Sequence, residues 1–328
     1  MLSLSSSCLY FIFAFLQATV WAADYSNPLK GSDAGDPNIV YEDGWYYLMA
    51  TGSPPPVLQM TRARTLDGLK AGEVRDVWRD STPSRCCNLW APEMHLVDGR
   101  WHIYYAAGPE NDPGVQRSHV LQGGTNLWDE FQYLGQIRED YSVDGTLLTV
   151  NDQNYYVYAC RPNNVQSLCI APRTSPSTTG DSKVISSPTE EWESRNSPLN
   201  EGPYALYHEG NTWLSFSAGT CDSPTYSLGL LKYNGGDPME IGSWSKTGPV
   251  FSSANGNYGT GHNSFFTSPD GSETWNVWHS VTNSSGGCGS SRSASSLIVK
   301  WNDDGSPNLG EAPALGTVLQ GPSGEPEQ

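Results

Sequence analysis

One unit recurs five times along the chain, and that recurrence restricts the fold more than any other feature of the sequence. Each copy sets a polar residue beside Gly or Pro, then a short apolar strand, a turn with Asp, Asn or Gly, and an aromatic-rich strand. The first reads Asp36-Pro37-Asn38-Ile39-Val40-Tyr41 and returns after Asp43-Gly44 through Trp45-Tyr46-Tyr47-Leu48. The second reads Ala91-Pro92-Glu93-Met94-His95-Leu96-Val97 and returns after Asp98-Gly99 through Trp101-His102-Ile103-Tyr104-Tyr105. The third opens at Asp144-Gly145-Thr146, the fourth at Glu201-Gly202-Pro203, and the fifth at Gly261-His262-Asn263. Roughly 50 to 60 residues separate the openings Asp36, Glu93, Asp144, Glu201 and His262, a length that suits one four-stranded blade per copy.

No segment keeps apolar residues at helical spacing over three turns, so the chain reads as short strands joined by turns. The expected fold is all-β, a five-bladed β-propeller forming a single domain over residues 23–328. A sandwich or a parallel β-helix is the alternative, but a β-helix repeat is much shorter and a sandwich need not repeat. If every innermost strand starts at the same end of the axis, Asp36, Glu93, Asp144, Glu201 and His262 converge on one mouth of the central channel. Carboxylates gathered in that way desolvate one another and shift each other's pKa values, which is the signature of an active site. The competing reading is five separate solvated turns.

Residues 1–22 carry no charged side chain, and an apolar run from Cys8 to Val20 precedes the small residue Ala22. That pattern reads as a signal peptide, because the run of about 13 residues is shorter than a membrane span needs. Secretion is therefore expected. Six cysteines remain after it: Cys86, Cys87, Cys160, Cys169, Cys221 and Cys288. Fifteen pairings are formally open, of which Cys160 with Cys169 is the easiest to picture, across one short excursion between strands. Cys86 and Cys87, being adjacent, are harder to place. With no Cys-x-x-Cys spacing, stapling is favoured over metal binding. The formal charge of −17 argues against nucleic acid and anionic membranes as partners. The 12 Trp and 17 Tyr suit neutral sugar rings, although many must serve the core. Asn283-Ser284-Ser285 matches a glycosylation acceptor.

At these openings the chain resembles glycoside hydrolase family 43 over nearly all of its length beyond the leader. Asp36-Pro37 resembles the family's general base, Trp90-Ala91-Pro92-Glu93 its second-blade signature, Val143-Asp144-Gly145 the aspartate that tunes and orients the acid, and Glu201-Gly202-Pro203 the general acid. Asp33 stands three residues before Asp36, but only Asp36 has the adjoining proline and the apolar strand. His262 in Gly261-His262-Asn263 resembles the axial histidine, which implies a structural calcium or sodium ion held largely through water; the chemistry itself is expected to need no cofactor. Asn27-Pro28-Leu29, Cys86-Cys87-Asn88 and Tyr258-Gly259-Thr260-Gly261-His262-Asn263 look most like exo-acting 1,5-α-L-arabinofuranosidases.

The resemblance implies inverting hydrolysis, in which one carboxylate activates water and one carboxylic acid protonates the leaving oxygen. The expected partner is plant cell-wall arabinan or arabino-oligosaccharides, bound by a monomer. Trp90 and Trp101 are the candidate sugar-stacking residues, with blade packing the competing reading. Glu93 is assigned to the substrate side, with a structural pairing to backbone or an Arg as its alternative. An endo-arabinanase or an arabinoxylan-debranching enzyme is the nearest rival, a β-xylosidase a more distant one. A sugar-binding propeller without activity would leave Asp36, Asp144 and Glu201 expendable. Gly-x-Ser-x-Gly and His-Glu-x-x-His are both absent, which disfavours serine and zinc hydrolases.

Overall fold

The hairpin turns anticipated from Asp, Asn and Gly are present with both central residues at positive φ: 49° and 76° at Asp43-Gly44, 51° and 74° at Asp98-Gly99, 51° and 59° at Asn151-Asp152, and 46° and 77° at Glu209-Gly210. This geometry matches the right-handed twist of the strands it joins. The computed structural model describes residues 23–52 and 56–326, so the leader predicted over 1–22 lies outside the described residues. Five antiparallel sheets surround a common axis. Blade 1 runs outward through Gly35–Glu42, Trp45–Thr51, Leu58–Ala63 and Glu73–Trp78. Blade 2 runs through Cys87–Val97, Arg100–Gly108, Arg117–Gln122 and Gln132–Gln136. Blade 3 uses Val143–Val150, Gln153–Cys160, Ser167–Ser175 and Lys183–Ser186, and blade 4 Asn200–His208, Asn211–Ala218, Ser227–Tyr233 and Trp244–Phe251. Blade 5 has Tyr258–Thr267, Thr274–Val281 and Ser293–Ile298.

The fourth place in blade 5 is taken by the segment that leads into blade 1. Leu29 N–H donates to the Ala294 carbonyl at 2.8 Å, Ala294 N–H returns to Lys30 at 2.9 Å, and Ala34 N–H reaches Arg292 O at 3.1 Å. The Asn27 side chain adds bonds of 2.8 and 2.9 Å to the Ser296 backbone. The ring is thus closed by hydrogen bonds between segments far apart in sequence. Apolar cores fill the wedges between blades; one holds Tyr47, Met49, Met94, Trp101, Ile103 and Leu121, another Leu148, Ile170, Trp192, Leu214 and Phe216.

Each innermost strand has a β-bulge close to the channel mouth, one extra residue relative to its partner, and those of blades 2 and 5 have a further one before it. In the bulge common to all five strands the first residue has φ of 52° at Asp36, 45° at Ala91, 56° at Asp144, 55° at Gly202 and 47° at His262. A bulge frees a backbone N–H from the ladder, and in four blades a side chain of the preceding blade accepts it. Asp36 N–H donates to His279 Nδ1 (3.1 Å), Ala91 N–H to Thr51 Oγ1 (2.7 Å), Gly202 N–H to Asp144 Oδ2 (3.1 Å) and His262 N–H to Ser217 Oγ (2.7 Å). The blades are therefore locked to each other at the level where the functional side chains emerge.

All six cysteines pair, as Cys160–Cys169, Cys86–Cys87 and Cys221–Cys288. A further tie fixes the approach to blade 4. The buried Glu193 carboxylate accepts from Lys246 Nζ at 2.8 and 3.0 Å, from the N–H groups of Thr189 and Glu190, and from Asn200 Nδ2 at 2.9 Å. Glu193→Ala is expected to destabilise the fold by about 3–5 kcal/mol, since it strands the Lys246 ammonium and several donors together. Urea unfolding of the two proteins checks this; a change under about 1 kcal/mol, the scale of an exposed pair, would contradict it.

Candidate active site

A cavity of about 460 Å³ opens at the mouth where the bulges lie, and Asp36, Asp144, Glu201 and His262 all line it. The convergence expected from the repeat holds for these four residues. It fails for Glu93, which sits two residues further along its strand, paired with Tyr104. The bulge in blade 2 is formed by Ala91-Pro92, so Ala91 holds the place that Asp36, Asp144 and His262 hold elsewhere. Glu93 falls level with Asn38, Thr146, Tyr204 and Ser264, outside the cavity lining, and its carboxylate bonds His95 Nε2 at 2.7 Å. The substrate-side assignment of Glu93 is corrected accordingly. Trp101 is corrected too. It directly follows the hairpin turn, at the other end of blade 2, and is 4% exposed within the core between blades 1 and 2. Trp90, immediately before the bulge, does line the cavity.

Asp36 is surrounded by donors. Arg292 Nη1 lies 2.6 Å and His262 Nδ1 3.1 Å from Asp36 Oδ1. His279 Nδ1 is 3.3 Å from the same oxygen, but it already accepts the Asp36 N–H and so contributes no donor there. Burial pushes the His279 imidazole down to about 4, with the Arg292 charge adding to the effect, and burial also lowers His262, so both rings are neutral near pH 7. Burial alone would raise the Asp36 carboxyl. The Arg292 guanidinium, helped by the His262 N–H, outweighs it and holds Asp36 well below the usual carboxylate range. Asp36 is ionised, with Oδ1 engaged and Oδ2 left toward the cavity. Arg292 can approach because residue 35 is glycine; a Cβ there would stand 2.0 Å from its guanidinium carbon.

Glu201 has the opposite balance. Tyr226 Oη donates to Oε1 at 2.9 Å and Gln166 Nε2 to Oε2 at 2.7 Å, and Gln166 is held in turn by Arg161. Burial pushes this carboxyl up to about 7; the Tyr226 hydroxyl opposes the rise and the Asp36 charge adds to it. Asp144 is raised well above the ordinary value by burial and by the Glu201 charge. Ligand atoms of Asp144, Glu201 and His262 lie within 4.8 Å of one another, so the two acids titrate as a pair. Asp144 also anchors the Gly202 N–H and thereby fixes the backbone beside Glu201.

Sequence reasoning missed Arg292, Tyr226, Gln166 and His279. None lies in a recognisable string. Tyr226 stacks on His279 with ring centroids 5.6 Å apart and planes 6° from parallel, and it fits because residue 261 is glycine, whose Cβ would be 2.2 Å from its ring. The Cys221–Cys288 bridge lines the cavity as well and joins the loops that carry Tyr226 and Arg292. Asp33, the rival of Asp36 in the sequence, belongs to the closing segment and is not part of the lining.

A family model described as Glycosyl hydrolases family 43 matches residues 25–307. The extracellular exo-alpha-(1->5)-L-arabinofuranosidase of Streptomyces avermitilis is 35% identical over 87% of this chain and 63% of its own length. The chain thus spans less than two thirds of that relative. The protein of the same description from Streptomyces chartreusis is 34% identical over 78% of this chain and 82% of its own. The crystal structure of the alpha-L-arabinofuranosidase from Lactobacillus brevis superposes with a TM-score of 0.81 at 29% identity, covering 89% of this chain and 98% of the other.

Proposed function

Since the chain belongs to glycosyl hydrolase family 43, we propose that it is an inverting exo-α-1,5-L-arabinofuranosidase, secreted to act on plant arabinan. The observation that carries this reading is the contrast between two buried carboxyls in one cavity. Asp36 is kept ionised by Arg292 and is suited to take a proton from water, whereas Glu201, pushed up to about 7, keeps a proton to give. Water attacks the anomeric carbon as Asp36 removes its proton, the glycosidic bond breaks, and Glu201 protonates the departing oxygen. The released sugar carries the inverted configuration. Trp90 offers a face for the sugar ring.

Release from chain ends is supported by the names of the two Streptomyces relatives and by the disulfide-joined loops that wall the cavity. Secretion agrees with the leader pattern and with three disulfides; among the described residues no helix is long and apolar enough to cross a membrane. A monomer suffices, because one chain supplies every group of the site. The calcium or sodium ion implied by the family resemblance would be held through water on His262 Nε2, since Nδ1 is engaged by Asp36. Direct ligation by Asp144 and Glu201 would strip the acid of its proton, so the ion would only add positive charge on the axis.

Digestion of linear 1,5-arabinan tests the reading. Arabinose is expected from the first minutes, with viscosity falling slowly and the first-formed sugar inverted by proton NMR. Early arabinobiose and arabinotriose with a rapid viscosity drop would establish endo action, release from arabinoxylan alone would establish debranching, and retention would reject the mechanism.

The same site yields a pH prediction. The reaction needs the acid protonated, so the rate is expected to fall as pH rises through about 7, and to persist far into acid because Asp36 stays ionised. Asp144→Asn removes the acid beside Glu201 with which it titrates, and the alkaline limb of the kcat/KM profile should move to lower pH. A lower rate with an unmoved limb would show that Asp144 acts only through the Gly202 N–H.

A further inference from the structure

The channel has a second mouth, at the opposite ends of the innermost strands, and a cavity of about 350 Å³ opens there. Its walls combine aromatic rings with hydroxyl groups and carry no lysine or arginine. Tyr204 and Phe265 supply faces, with the His95 ring lying 26° from parallel to Tyr204 at 6.3 Å, and Tyr207 stands 49% exposed at the rim. The Thr146 hydroxyl, on a fully buried residue of the same wall, lies against the Glu93 carboxylate. Behind His95 lies Glu93, buried and bonded to the imidazole at 2.7 Å. The catalytic scheme uses none of these groups.

We propose that this far cavity is a second, non-catalytic binding site for a neutral sugar unit of the arabinan chain. Rings offer C–H faces something to stack on, and the Tyr207, Thr267 and Thr274 hydroxyls on the lining, with the His95 imidazole braced by Glu93, offer donors and acceptors for sugar hydroxyls. An anionic ligand would meet the Glu93 carboxylate without any cationic side chain in the wall. A purely apolar ligand would cover the Thr267 and Thr274 hydroxyls without giving them partners. The volume accommodates a pentose with room for a second unit. Because the two mouths face opposite ways, the far site holds the enzyme on its polymer while the near site works on a chain end, raising the local concentration of ends. The identity of the sugar rests on the arabinan reading of the catalytic cavity.

Calorimetric titration of the Glu201→Gln protein with α-1,5-arabinobiose is the test. Two equivalents are expected, and adding either Tyr207→Ala or Glu93→Gln should remove one of them, weakening it by about tenfold or more. Tyr207→Ala alone should leave turnover of a soluble aryl arabinofuranoside unchanged and slow the attack on polymeric arabinan. One equivalent that neither substitution touches, or two that both leave intact, would overturn the second site and leave the catalytic reading standing. No binding at either mouth would overturn both.

Discussion

Asp36→Asn is expected to lower turnover by about 10²–10⁴-fold or more on arabinan and on aryl arabinofuranosides alike. The loss does not depend on the leaving group, because water must surrender a proton whatever departs. In the native site Oδ1 is held by Arg292 and His262, which leaves Oδ2 as the acceptor. An amide of the same shape keeps the packing but has no basic oxygen, and the Arg292 charge beside it loses its counter-ion. Steady-state rates on both substrate types check this. Survival of either activity would remove Asp36 from the role of base.

Glu201→Gln should separate the two substrates. On arabinan the leaving alkoxide needs a proton, and the rate is expected to drop by about 10²–10⁴-fold. A dinitrophenyl arabinofuranoside leaves unaided, and its hydrolysis should stay within about tenfold of native. Its pH profile should also lose the alkaline limb near 7, since the group whose deprotonation causes that limb is gone. Equal losses on both substrates would mean that Glu201 positions the sugar without protonating it.

Much of this architecture was legible because it repeats. Five polar openings, each followed by an apolar strand and an Asp, Asn or Gly turn, disclosed the blades, and the short spacing of Cys160 and Cys169 disclosed their bridge. The limits were set by backbone detail. Aligning Glu93 with Asp36 assumed that each unit opens on its polar residue, whereas the bulge sets the phase, and in blade 2 that place belongs to Ala91. Trp101 looked like a sugar platform because nothing in an aromatic-rich strand tells which face meets the cavity. Arg292 and Tyr226 were out of reach for another reason. Their loops are brought to the site by a bridge between cysteines 67 residues apart, which was one of fifteen formal pairings. The glycines at 35 and 261 were the one local trace of them, each leaving room for a side chain that arrives from elsewhere.

The way the ring closes has a consequence in time. The segment that completes blade 5 leads directly into Asp36, and the strand it completes follows directly from Arg292, 256 residues away. On a growing chain the first segment therefore has no partner until the last blade exists, and closing so long a loop is slow compared with forming any one hairpin. Until then Asp36 lacks its guanidinium, however well the intervening blades have folded. Catalytic competence arrives all at once, with the final act of folding.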